Sequence, residues 1–370
     1  MKIKRFEVIG LLGRDKPLKV EFNDDINILT GRNGSGKTSA LKLLWFIVSG
    51  NILLALKEVS FKKAFVETDL YECTIYKLTQ YTCKISWKDS SGEYIFEDGY
   101  DEDNEVVENA EDQANSMLVE LGSSVFLPTF RRIEGGFTIS DKTTNALSRA
   151  RSDIEESMSA LSKKLSRGNH AFVASLSTID IVSLLVRQYT DMSEEYNLLQ
   201  QKTSHNIISK IKDFKRDQVN SNQLASADEV LDGIRQQIEG MEGAREEIMK
   251  PLSAVTSLVT ALFRHSGINL SKNLSFGDAA NAVNSDALSA GEKQMLSFIA
   301  YNAFYQNATI IIDEPELSLH VDWQRQLFPI LRSQHSSNQF IIATHSPFIY
   351  SKYPDKEIQI DSDRGDDGSN

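Results

Sequence analysis

The sequence predicts an α/β protein: a parallel sheet and an antiparallel β layer, with a helical coiled-coil hairpin inserted between the chain halves that build them. Three observations predict it. The runs INILT (26–30), TIIID (309–313) and FIIATHS (340–346) are apolar nearly throughout, as strands of a parallel sheet covered on both faces must be. Residues 59–96 instead alternate, as in CTIYKLTQYTCKISW, which suits antiparallel strands with one face covered. From about 141 to 265 the apolar period changes to three and four, the mark of helices meeting along a seam.

Composition narrows the setting. The chain has 370 residues and a net charge of −12, but the acidity is local. Residues 93–112 carry ten acids and no Lys or Arg, and the tail 361–370 carries four acids beside Arg364. The rest is near neutral, which leaves room for a nucleic-acid face elsewhere. The acidic run GYDEDNEVVENAED reads as a solvated loop, or as a segment that repels or mimics nucleic acid. No apolar run approaches the ~18 residues of a membrane span, and the N-terminus lacks a signal-peptide pattern. Cys73 and Cys83 form no CxxC pair and read as small residues in neighbouring strands. A cytoplasmic protein without membrane association is expected.

Taken in order, MKIKRFEVIG is a first strand, and KPLKVEF leads by a hairpin into the buried strand INILT. GRNGSGKT follows, then an amphipathic helix through Leu41, Leu44, Trp45 and Val48. The antiparallel strands turn at KDSSGE (88–93), and SRGNH (166–170) breaks a helix. Val182, Leu185, Tyr189, Met192, Tyr196 and Leu199 form one coiled-coil seam, and Val230, Ile234, Met241 and Ile248 a second. QVNSNQLASAD (218–228) turns between the arms, and Pro251 kinks or ends the return arm. An arm of ~40 residues reaches ~60 Å. The expected divisions are a first lobe at 1–140, a coiled-coil insert at 141–265, a second lobe at 266–360 and an acidic tail at 361–370.

The chemistry sits in four motifs. Gly31–Thr38 fits GxxxxGK[ST] between a strand and a helix, the phosphate-cradling loop. Its contact set is Arg32, Asn33, Gly34, Ser35, Gly36, Lys37, Thr38 and Ser39; Lys37 is placed for β- and γ-phosphates and the Thr38 hydroxyl for Mg²⁺. Asp313 and Glu314 end an apolar strand, where two adjacent carboxylates are costly without a cation. Asp313 suits Mg²⁺ through water, and Glu314 suits orienting or deprotonating an attacking water. Leu288–Gln294, LSAGEKQ, places Ser289 as a helix N-cap with Glu292 as its capping-box partner. A helix start is also an anion site, so Ser289, the Gly291 amide and Glu292 are candidate nucleotide contacts. His345 follows the next apolar strand.

In this order the motifs resemble Walker A, signature, Walker B and switch histidine of ABC-type ATPases. The helical insert resembles the SMC, RecF and OLD group more than transporters. EPELSLH after Asp313, and FLPTFRRIEGGF (126–137), resemble OLD-type ATPases and the PtuA ATPases of Septu-type phage defence. The resemblance implies an ABC-type head that binds ATP and Mg²⁺ between two chains. Lys37, Glu314 and His345 would be catalytic, with Ser289 and Gly291 of one chain gripping the γ-phosphate held by the other. Two departures stand out. Thr129 and Arg131 lie where the family has a glutamine touching Mg²⁺ and water, and His320 lies where it has a loop aspartate.

OLD proteins carry a nuclease after the switch histidine, whereas here 25 residues follow it, and the acidic tail DSDRGDDGSN is expected to have no strands on which to build a metal site. The expected function is therefore the ATPase of an antiviral system acting with a separate nuclease, as a homodimer or higher homo-oligomer. The alternatives are a DNA-repair or chromosome ATPase of SMC or RecF type, and a transporter subunit. DNA contact is suggested by Lys210, Lys212, Lys215 and Arg216 and by Lys163, Lys164 and Arg167, although charge runs on helices are commonly solvated faces.

Overall fold

A computed structural model describes residues 1–100, 106–129, 132–133, 153–176, 178–217, 231–250, 289–334 and 336–360. The apolar runs form the parallel sheet. Across it lie β12 (His170–Phe172), β10 (Ser124–Leu127), β14 (Thr309–Asp313), β15 (Gln339–Ala343), β3 (Ile26–Thr30) and β16 (Glu357–Gln359). Every neighbouring pair in it is parallel. β3, β10, β14 and β15 are buried at every residue, which explains their largely apolar sequences. The alternating runs form the antiparallel sheet, in the order β2 (Leu18–Glu21), β1 (Ile3–Ile9), β4 (Lys63–Thr68), β5 (Tyr71–Lys77), β6 (Cys83–Asp89) and β7 (Gly92–Glu97). Cys73 and Cys83 are buried free thiols in adjacent β5 and β6. Two short pairs complete the described strands: β8 (Gly99–Tyr100) with β9 (Val106–Glu108), and β11 (Arg132–Ile133) with β13 (Ser175–Leu176).

The helix after the glycine-rich loop, α1 (Lys37–Val48), is buried over almost all its circumference, so it is a core helix rather than a half-exposed one. Trp45 stacks on Phe126 at 5.6 Å and meets Phe172 at 5.3 Å, tying α1 to β10 and β12. One hydrophobic core runs from these side chains to Ile3, Phe6 and Val8 of the other sheet. Gln339 links the sheets by polar contacts as well. Its Oε1 accepts from Ile3 N at 2.8 Å, and its Nε2 donates to Ile3 O at 2.7 Å. A buried amide with both ends satisfied fixes β1 against the start of β15.

The acidic run departs from the expected solvated loop at its described ends. After α2 (Ile52–Glu58), the next helix is α3 (Ala110–Glu120), with Ala110, Ala114 and Leu118 buried as a stripe four residues apart. That stripe packs on β6 and β7 and carries Glu111 inside, where burial raises its pKa. Asn109 makes no side-chain cap; the Asp98 carboxylate accepts from Ala110 N at 2.9 Å instead, and from Cys83 N at 3.0 Å. Residues 101–105 lie outside the described set.

SRGNH interrupts the chain as expected, between α4 (Asp153–Leu165) and β12. Arg167 donates to the Gly50 carbonyl at 2.7 Å, so this member of the second basic group is a structural hydrogen-bond donor. His170 is fully buried, its Nδ1 2.8 Å from the Ser124 hydroxyl of the neighbouring strand.

The chain divides into two compact units, Met1–Thr178 with Asp286–Asn370, and Ile179–Ser285. The boundaries expected near 141 and 265, the turn at 218–228, Pro251 and the tail all fall outside the described residues. In the second unit, α5 (Thr178–Asp217) runs for 40 residues, about 60 Å at the helical rise. Residues 231–250 are helical too. Arg245 lies over the Tyr196 ring at 5.7 Å, while a Cβ on Gly233 would sit 3.7 Å from Lys210 Nζ. Late positions of one helix thus meet early positions of the other: the pair is antiparallel. Lys210 and Lys212 are exposed on α5.

Candidate nucleotide site

Adjacent parallel strands bring three of the four motifs together. β3 leads into the glycine-rich loop, β15 lies beside it and ends before His345, and β14 lies next and ends in Asp313. Loops leaving the carboxyl ends of such strands line the usual ligand crevice of an open α/β sheet. Leu12, Asn33, Gly34, Ser35, Gly36, Lys37, Thr38, Ser39, Glu314, Glu316, Leu317 and His345 line a cavity of about 620 Å³. Arg32, expected among the contacts, is exposed outside this lining.

The loop is shaped for an anion. Gly36 precedes α1 with φ 92°, in the left-handed region, and offers no side-chain cap. The first-turn amides of α1 therefore remain for a ligand, at the positive end of the helix dipole. Lys37 is buried, with Nζ 2.8 Å from Gly31 O, 3.3 Å from Arg32 O, 3.4 Å from Ser35 Oγ and 2.9 Å from His345 Nε2. An ammonium only donates, so Nε2 of His345 accepts. Burial lowers the Lys37 pKa, and the charges of Glu314, Asp313 and Glu316 oppose that shift. A desolvated ammonium held by carbonyl oxygens is poised for phosphate oxygens.

Asp313 is fully buried at the end of β14 and accepts a hydrogen bond from the Thr129 hydroxyl. Thr129 stands two residues beyond β10, whose Leu127 pairs with Ile312 of β14. At Glu314 the backbone turns left-handed, with φ 48° and ψ 64°, and its N–H donates to Ala343 O at 2.8 Å. A non-glycine residue held there costs about 1–3 kcal/mol. The turn brings the carboxylate to 3.9 Å from His345 Nε2. Burial raises the Glu314 pKa, reinforced by Asp313 and Glu316 and opposed by His345 and Lys37.

These residues fit ATP with Mg²⁺: open helix amides, a buried lysine, a hydroxyl at Thr38 and a carboxylate at Asp313. Among the described residues no group of three His, Cys, Asp or Glu could hold a metal unaided. A hard cation keeping its waters and borrowing phosphate oxygens suits such a sparse set.

The fourth motif is placed elsewhere. Ser289 caps the helix Ala290–Phe304, and Ser289, Gly291 and Glu292 are absent from the cavity lining of their own chain. The expected capping box is present: Ser289 N donates to Glu292 Oε2 at 2.7 Å, and Glu292 N to Ser289 Oγ at 3.3 Å. Gly291 has a local reason to lack a side chain, since a Cβ there would lie 2.6 Å from Ser318 O. His320 caps the following helix, Val321–Ser333, accepting from Asp322 N at 3.5 Å.

Sequence reasoning did not single out Arg14, Leu12, Glu316 or Leu317. Arg14 Nη2 donates to Gly34 O at 2.6 Å and Nη1 to Ser35 O, bracing the loop from behind. Leu12 and Leu317 are exposed apolar residues at the cavity. The Gly10 and Gly13 pair flanking Leu12, and the second glutamate of EPE, were the available signals.

Among the described residues no helix is long and apolar enough to cross a membrane. A stretch of 75 residues is 36% identical to the Retron Ec83 probable ATPase of Escherichia coli, covering 17% of this chain and 14% of that protein. The Smc head domain of Pyrococcus furiosus, solved with an extended coiled coil and bound to the C-terminal domain of ScpA, aligns over 95% of this chain and 91% of its own, at 14% identity and TM-score 0.38. A second Smc head, bound to the C-winged helix domain of ScpA, aligns over the same shares at 11% identity and TM-score 0.39. Residues 1–350 match the family described as AAA ATPase domain, and the chain belongs to that family.

Proposed function

We propose that this protein is an ABC-type ATPase whose catalytic sites form between two copies, and that it drives a separate nuclease in an antiviral system. The observation that carries the ATPase reading is the meeting of Lys37, His345 and Glu314 on one cavity lined by the start of α1. In this reading Lys37 and the loop amides hold the β- and γ-phosphates. Thr38 and Asp313 hold Mg²⁺, which neutralises phosphate charge when bound. Glu314 orients and deprotonates the attacking water, and His345 meets the γ-phosphate. The composite site is supported by the position of Ser289, whose helix start stands outside its own chain's cavity. Ser289 and the Gly291 amide would serve a second copy.

The defence reading is supported by the EPELSLH and FLPTFRRIEGGF resemblance and by 36% identity over 75 residues to a retron probable ATPase. Purified protein, alone and with the product of the neighbouring gene, should be assayed for DNA or RNA cleavage with Mg²⁺ and ATP. Cleavage should require the neighbour and change in a Glu314→Gln background. Robust cleavage by this chain alone would overturn the division of labour.

A further inference from the structure

Beyond the four motifs, one carboxylate in the cavity has no assigned task. Glu316 lies two residues past Glu314, on the turn Pro315–Ser318. Its Oε1 accepts the backbone N–H of His345 at 2.6 Å, across 29 residues of sequence. Its Oε2 is buried with no hydrogen-bond partner among the described residues. An unsatisfied carboxylate oxygen is costly, so packing alone does not account for a glutamate here.

The turn beneath Glu316 is anchored from several sides. Gln294, on the helix that Ser289 caps, donates to Pro315 O at 2.9 Å, and Gly291 of that helix approaches Ser318 O too closely for a side chain. From the other side, Gln324 Nε2 donates to Leu319 O at 2.7 Å. Its Oε1 accepts from Ser346 Oγ at 2.6 Å, one residue past the histidine. The segment after Glu314 and the segment carrying His345 are thus held as one piece, and the signature helix is fastened to it.

We propose that Glu316 is the positioning residue of His345: by holding the His345 backbone N–H it sets where the imidazole stands relative to Lys37 and Glu314, and it ties that placement to the signature helix. The inference rests on the ATPase reading. It assigns Glu316 a hydrogen-bond acceptor role, which a glutamine can fill and an alanine cannot.

The test uses full-length protein as Glu316→Ala and Glu316→Gln. Three measurements are made: binding of a fluorescent ATP analogue, phosphate-release kinetics with Mg²⁺ for kcat and KM, and NMR of histidine-labelled protein for the His345 ring signal, assigned with His345→Gln. Misplacing a reacting group by about 1 Å costs on the order of 100-fold in rate, so Glu316→Ala should lose about 10- to 100-fold in kcat. Its nucleotide affinity should stay within about twofold, because the loop and Lys37 are untouched, and the His345 signal should shift without ligand. Glu316→Gln should recover most of kcat and the wild-type signal. Glu316→Gln also guards against misfolding of the alanine variant. Wild-type turnover and an unmoved His345 signal in Glu316→Ala would overturn the proposal while leaving the ATPase intact. So would a glutamine variant as impaired as the alanine one. No hydrolysis and no nucleotide binding by the wild type would instead overturn the ATPase reading, and the His345 signal of the unliganded variants would still decide the positioning claim.

Discussion

The ammonium of Lys37 lies 2.9 Å from Nε2 of His345, joining the end of the glycine-rich loop to the loop after β15 across 308 residues of sequence. Glu314 stands 3.9 Å from the same imidazole. An anion entering the cavity gains both groups at once. Lys37→Ala removes a charge-assisted contact worth about 3 kcal/mol, so nucleotide affinity should fall about 100-fold. His345→Ala should bind nucleotide near normally and lose turnover. Equilibrium binding of a fluorescent ATP analogue beside phosphate-release rates separates the two.

The pH profile should carry the mark of Glu314. Burial first, then Asp313 and Glu316, raise its pKa above the ordinary 4.5. A general base works ionised, so kcat/KM should fall on the acid side through a group titrating above 4.5. Glu316→Gln removes one of the charges responsible and should move that limb to lower pH. Rate measurements across the acid range with both proteins check the sign. An acid limb that stays in place in Glu316→Gln would remove Glu316 from the electrostatics of the base.

Acid stability should depend on His170. Burial pushes its pKa down to about 4 from 6.5, with its Nδ1 held by Ser124. The folded state therefore binds the proton less readily than the unfolded chain. The stability it supports is complete above about 6.5 and drains away as pH falls toward about 4. The full loss is at most about 3 kcal/mol. Thermal melts of wild type and His170→Gln between those limits should show a smaller pH dependence in the variant, even though the variant starts lower.

The strands of the two terminal segments, and the glycine-rich loop, Glu314 and His345 that line one cavity, were legible because their signals are local. A short, mostly apolar run such as INILT reads as a strand buried on both faces, and GRNGSGKT between a strand and a helix fits a phosphate-cradling loop. What escaped depends on partners distant in sequence. Arg14 braces Gly34 and Ser35 only once β1 and β3 lie in adjacent sheets. Glu316 meets His345 only because β14 and β15 are neighbours. Thr129 was noted for what it replaces, and its contact with Asp313 needed the parallel register of β10 and β14. The acidic run misled because charge density outweighed the Ala110, Ala114, Leu118 stripe that begins at its end.

The central claim is that each ATP site is built from two chains, and complementation tests it most directly. Ser289→Arg spoils the helix start offered to a partner while leaving its own loop intact; Lys37→Ala does the reverse. Each variant alone should release almost no phosphate. Mixed in equal amounts, a heterodimer gathers both defects into one site and leaves the other whole, so phosphate release should return, toward half the wild-type rate per heterodimer. Heterodimers confirmed by differential tags, yet with no phosphate release above the separate variants, would contradict a composite site.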